Sequence, residues 1–127
     1  MAHIHAETTI DRSPDEVWKV VGNFGGLPDW APGIKAGRVE GNRRYLSMGA
    51  MEVVEEELAR DDAARTYTYG LVESAGIDKH VVKVAVAPEG TGSKVTLDCE
   101  CAPDSLTALF EPTYEGFVTA LKAHLEK

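Results

Sequence analysis

No stretch of this 127-residue chain holds the ~18 consecutive apolar side chains that a membrane-spanning helix needs. The first ten residues, MAHIHAETTI, lack the basic and apolar segments of a secretory leader. Cations are scarce: 13 Lys and Arg stand against 21 Asp and Glu, a formal net charge of −8. Tracking a phosphate backbone needs clustered cations, and an anionic bilayer attracts them. Neither nucleic acid nor membrane insertion is therefore expected, and the chain reads as cytoplasmic. Cysteine is limited to Cys99 and Cys101. Residues two apart on a strand lie ~7 Å from each other, too far for an easy disulfide, so a buried reduced pair is expected.

What is present reads as one domain over residues 1–127, without repeats or linkers. His3 to Ile10 alternates as a strand does, with Ile4, Ala6, Thr8 and Ile10 on one side. Ser13-Pro14-Asp15-Glu16 then carries an N-cap, a first-turn proline and a capping-box glutamate. A short helix to about Asn23 follows, striped by Val17, Val20, Val21 and Phe24. Gly25-Gly26 ends it. Turn signals then recur at Gly41-Asn42, Gly49-Ala50, Asp61-Asp62, Ser74 to Lys79 and Pro88 to Gly92. The runs between them are rich in Val, Tyr, Thr and Leu, the pattern of an antiparallel meander of about six strands. From Asp104 or Ser105 the apolar spacing turns helical through Leu106, Leu109, Phe110, Tyr114, Phe117, Leu121 and Leu125. Pro112 marks a kink or a later start. This long helix is the element left to cover the sheet, and one helix covers a wide curved sheet incompletely, so a cavity is expected.

Alternation also assigns faces. Val82, Val84 and Val86 point inward with His80 on their side, as do Val95, Leu97, Cys99 and Cys101 on the next strand. Tyr67, Tyr69 and Leu71 share a face. In the strand from Val53, the apolar pair Val54 and Leu58 defines the inner stripe and takes Glu56 with it. A carboxylate there is costly unless paired, neutral or wet, and its pKa would rise. Such a group suits acid–base work near neutral pH. Two other readings stay open: Glu55 to Glu57 as solubilising charge on an edge strand, or a bulge that swaps the faces.

Other motifs carry less chemistry. His3 and His5 form a His-x-His pair without an evident third ligand, so they read as solvent-facing, and no metal site is expected. Gly90-Thr91-Gly92-Ser93-Lys94 precedes a strand, not a helix, and reads as a hairpin turn rather than a phosphate loop. Tyr45, Tyr67 and Tyr69 are candidates for stacking an aromatic ligand. Trp30, bracketed by Pro28 and Pro32, suits the lip of a pocket or a plug at the end of the core.

The segments SPDEVWKVVGNFGGLPDWAPGI, EEELARDDAARTYTYGLV and YEGFVTALKAHL give the chain its resemblance to a known group. It resembles the SRPBCC superfamily, which includes START lipid-transfer domains, birch-pollen-allergen-like proteins and the polyketide cyclase/dehydrase group. The resemblance implies an α+β helix-grip fold, a curved antiparallel sheet wrapped around a long C-terminal helix. It implies a ligand cavity between them, with Trp30, Glu56, Tyr67, Tyr69, His80, Phe110 and Tyr114 at or near its wall. The short stretch after Pro103 implies a less covered mouth. With Tyr45 and the inward Val82, Val84 and Leu97, these residues make the candidate binding set. The expected partner is a hydrophobic, aromatic or polyketide-like small molecule, held without a cofactor. Cyclisation or dehydration would use Glu56 or His80 as base and Tyr69 as donor. A non-catalytic carrier or sensor and a protein-interaction module with a filled interior are the alternatives, and homodimerisation is left open.

Overall fold

The computed structural model describes residues 1–48, 51–72 and 76–127. The turn expected at Gly49-Ala50, and Ser74 and Ala75 of the next, lie outside the described residues. Strand β1 (Ala2–Ile10) is followed by helix α1 (Pro14–Val21) and a one-turn 3-10 helix at Leu27–Asp29. Strands β2 (Ala36–Glu40), β3 (Arg43–Met48), β4 (Met51–Asp61), β5 (Thr66–Leu71), β6 (Lys79–Glu89) and β7 (Gly92–Ala102) come next, and helix α2 (Thr107–Leu125) ends the chain. The strands form one antiparallel sheet in the order β1-β7-β6-β5-β4-β3-β2. This is the α+β helix-grip architecture expected from the sequence.

Local chemistry sets the boundaries. The Ser13 hydroxyl accepts from the Glu16 N–H at 3.3 Å while the Glu16 carboxylate accepts from the Ser13 N–H, closing the capping box. Gly41 and Gly90 take φ of +63° and +56° as the first residues of two-residue turns, a conformation that type II′ hairpins reserve for glycine. Pro112 lies within α2, which runs through it without a break. Its missing N–H falls opposite Ala108, and both residues are exposed, so water can serve the freed carbonyl.

The position of α2 creates the site. The helix lies along β1 from end to end. At one end the Met1 amino group meets Asp104 at 2.8 Å; at the other the Asp11 N–H donates to Glu126 at 2.8 Å and Lys122 reaches the Thr9 carbonyl. Phe117, Val118 and Leu121 are buried there with Ile4, Ala6, Ile10, Val95 and Leu97. Helix α1 packs on β6 and β7. The concave face of β3, β4 and β5 is left without a helix of its own.

Candidate functional site

A cavity of about 520 Å³ occupies that uncovered half of the sheet. Its helical wall is Leu106, Leu109, Phe110, Thr113, Tyr114 and Phe117, three or four residues apart and so on one face of the chain entering α2. Leu46, Val53, Tyr69, Leu71 and Ile77 line the opposite side, with Leu27 and Ile34 from the segment before β2. Leu109, on the helical wall, is 57% exposed.

Besides Glu52 and Thr113, the polar groups that reach this space fall into two sets. The first is an ion pair. Glu55 and Arg44 sit opposite each other on β4 and β3, both on the concave face. Nε and Nη2 of Arg44 each lie 2.7 Å from Glu55 Oε1, the Nε–H making the well-directed hydrogen bond. Nη1 donates to the Phe24 carbonyl at 3.0 Å. The guanidinium is sandwiched between the rings of Phe24 and Tyr69, 4.3 and 4.4 Å from their centroids, and is 1% exposed. Glu55 lines the cavity and Arg44 lies behind it. Burial pushes the Glu55 carboxyl above its ordinary range, and the adjacent guanidinium pulls it part of the way back.

The second set joins β6 to α2. His80 Nε2 and the Tyr114 hydroxyl lie 2.5 Å apart, and the His80 ring packs against Phe110 at 4.6 Å. Burial lowers the His80 pKa to about 4, so the imidazole is neutral at physiological pH. Either tautomer leaves its buried Nδ1 without a hydrogen-bond partner among the described residues. Burial also pushes the phenols of Tyr69 and Tyr114 well above their usual value, which keeps both as donors. Burial and the neighbouring Cys101 push the Cys99 thiol up to about 12, so it stays protonated.

The placement of the sequence candidates divides them. Tyr69, His80, Phe110 and Tyr114 converge on the cavity. Val82, Val84 and Leu97 are inward but lie in the packed core, not the cavity wall. Tyr67 stacks on Tyr69 with ring centroids 5.8 Å apart and meets Phe24 edge-on, one layer away from the cavity. Trp30 sits edge-on to Phe117 at the end of the core, which is the plug arrangement. Tyr45 faces the other side of the sheet, with Arg38 stacked 4.1 Å above its ring.

Glu56 requires a correction. It lies on the convex face, where Arg43 donates to it at 3.1 Å, and Leu58 beside it is 53% exposed. The inward carboxylate of β4 is Glu55. Apolar content misleads here because Val54 and Leu58 lie on the convex face, while the inner stripe follows Val53 with Glu55, a carboxylate stabilised by a cation from β3. Arg44 was absent from the sequence candidates, yet counting outward from the turn that the sequence predicts at Gly49-Ala50 sets Arg44 against Glu55 and Arg43 against Glu56, two opposite-charge pairs, as the register has it.

His3 and His5 lie on the exposed face of β1, and both reach Asp98 Oδ1, at 3.3 and 2.7 Å. Among the described residues no group of three His, Cys, Asp or Glu could hold a metal ion. Nor does any described helix have the length and apolarity to cross a membrane.

A curved antiparallel sheet gripping a long terminal helix, with an apolar cavity between them, defines a helix-grip protein. The chain belongs to the family described as polyketide cyclase / dehydrase and lipid transport, whose model matches residues 1–126. Among solved structures it is similar to the XoxI protein of Bacillus cereus, at 25% identity, a TM-score of 0.94, and coverage of 100% of this chain and 97% of that one. A START superfamily protein from Mycobacterium smegmatis shares the fold at 15% identity, with a TM-score of 0.83 and 98% and 97% coverage. So does BexL, a di-domain ARO/CYC protein of the BE-7585A biosynthetic pathway, at 17% identity and a TM-score of 0.83. The alignment covers 99% of this chain and 47% of BexL. No curated protein matches the sequence significantly.

Proposed function

We propose that this protein binds a hydrophobic small molecule with an aromatic or polyketide-like body in the cavity between β3–β5 and α2. The observation that carries this reading is the cavity of about 520 Å³ with a mainly apolar wall, within the range of small-molecule sites. A ligand losing roughly 250 Å² of apolar surface to this wall would gain about 6 kcal/mol before the cost of its immobilisation. The filled interior that a protein-interaction module would need is not what the described residues form.

Acid–base chemistry on the bound molecule is a second reading, supported by Glu55. A carboxylate at the cavity wall with a raised pKa can remove a proton α to a carbonyl, and the Tyr69 or Tyr114 hydroxyl can donate to the oxyanion that develops. His80, neutral and bonded to Tyr114, fits the role of holding that phenol in place better than that of the base. Carriage without turnover needs only the apolar wall.

Native mass spectrometry of the purified protein, alone and with an added polycyclic aromatic, tests the binding reading. One apolar molecule retained or taken up per chain supports it. A chain that neither carries nor takes up such a molecule overturns it.

A further inference from the structure

The polar end of the cavity carries information about the ligand. Arg44 directs both of its short contacts with Glu55 at Oε1, and lies behind the carboxylate, out of the cavity wall. Among the described residues no donor is bonded to Oε2, although the Glu55 side chain is nine-tenths buried. The cavity therefore sees an acceptor, while the compensating positive charge is sealed between Phe24 and Tyr69. Glu55 borders the cavity, and an apolar ligand that displaces water from its Oε2 must supply a donor in return or leave the acceptor unsatisfied. A ligand carboxylate would instead meet a like charge at low dielectric, with the guanidinium out of its reach.

We propose that the cavity selects apolar ligands bearing a neutral hydroxyl donor, phenolic or enolic, and rejects carboxylates of the same skeleton, with Glu55 Oε2 as the acceptor. This inference rests on the binding reading above. A hydroxyl satisfies the carboxylate without burying a second charge, which an ammonium group would do. The Glu55 oxygen that bonds Arg44 stays where it is, so the ion pair orients the recognition oxygen rather than competing for the ligand.

The test is calorimetric titration with 2-naphthol, naphthalene and 2-naphthoate, which share one ring system. 2-Naphthol is expected to bind about tenfold more tightly than naphthalene, the gain of one hydrogen bond to a charged acceptor, and 2-naphthoate more weakly than either. In the double variant Arg44→Met plus Glu55→Leu, which removes the pair together, the naphthol-to-naphthalene affinity ratio falls to about one. Naphthalene binding with naphthoate at least as tight as naphthol overturns this inference and leaves the cavity reading standing. So does a naphthol preference that survives in the double variant. Failure of all three compounds to bind overturns the cavity reading and this inference with it.

Discussion

Arg44 and Glu55 face each other across the β3–β4 pair with 2.7 Å between Nε and Oε1, a charge pair turned toward the inside of the sheet. Removing one partner strands the other in a buried site. Arg44→Met and Glu55→Leu are each expected to cost about 3–5 kcal/mol of unfolding free energy. The double variant Arg44→Met plus Glu55→Leu should cost much less than the sum, because both desolvation penalties disappear together. Urea unfolding of the four proteins measures the coupling, and additive losses would show that the pair is not an energetic unit.

The His80 imidazole makes stability fall in mild acid. Above pH 6.5 it is neutral in folded and unfolded chains alike. As pH falls from 6.5 toward 4, the unfolded chain takes up the proton first, and the folded state loses roughly 3 kcal/mol relative to it, at about 1.4 kcal/mol per pH unit. Tyr69 from β5, Cys101 from β7 and Phe110 and Tyr114 from α2 surround the ring, and Glu55 lines the same cavity. Glu55 acts in the opposite sense, since a raised carboxyl takes its proton first in the folded state. The variant His80→Gln keeps a polar partner for Tyr114 and removes the imidazole. Its stability-versus-pH curve should be flatter than wild type between pH 6.5 and 4, and parallel curves would contradict the assignment.

Filling the cavity should separate binding from folding. Thr113 lies on the helical wall, and Thr113→Trp puts an indole into the space. Affinity for a polycyclic aromatic should fall more than tenfold while the thermal midpoint changes by a few degrees. Retained affinity would place the ligand elsewhere.

If a substrate that turns over is found, the two neighbouring glutamates give opposite results. Glu55→Gln should lower turnover by about 100-fold or more, the usual contribution of a general base. Glu56→Gln, on the convex face and paired with Arg43, should leave turnover within about twofold. The reverse order would put the chemistry on the wrong side of the sheet for this account.

How legible the molecule was from its sequence depended on the strand. On β6 and β7 the inner stripes are Val82, Val84, Val86, Val95 and Leu97, alternating with charged residues such as Lys83 and Asp98, and simple alternation read them correctly. On β4 the same rule put Glu56 inside, because Val54 and Leu58 happen to lie on the convex face while the inward Glu55 is paired across the strands with Arg44 of β3. A register shift between Glu57 and Ala59 further disturbs that strand's pattern. The α2 wall was legible as an apolar helix face. Which of its residues line a void rather than a packed core was not, because that follows from the helix lying along β1, a tertiary choice that no local pattern encodes.

The most direct test of a ligand-binding cavity is methyl NMR during titration with 2-naphthol. Ring-current shifts are expected at Leu46, Leu71, Ile77 and Leu106, which surround the void, with little change at Val86 and Val95 in the packed core. Shifts confined to surface methyls such as Leu58, or no shifts at a saturating concentration, would contradict the account.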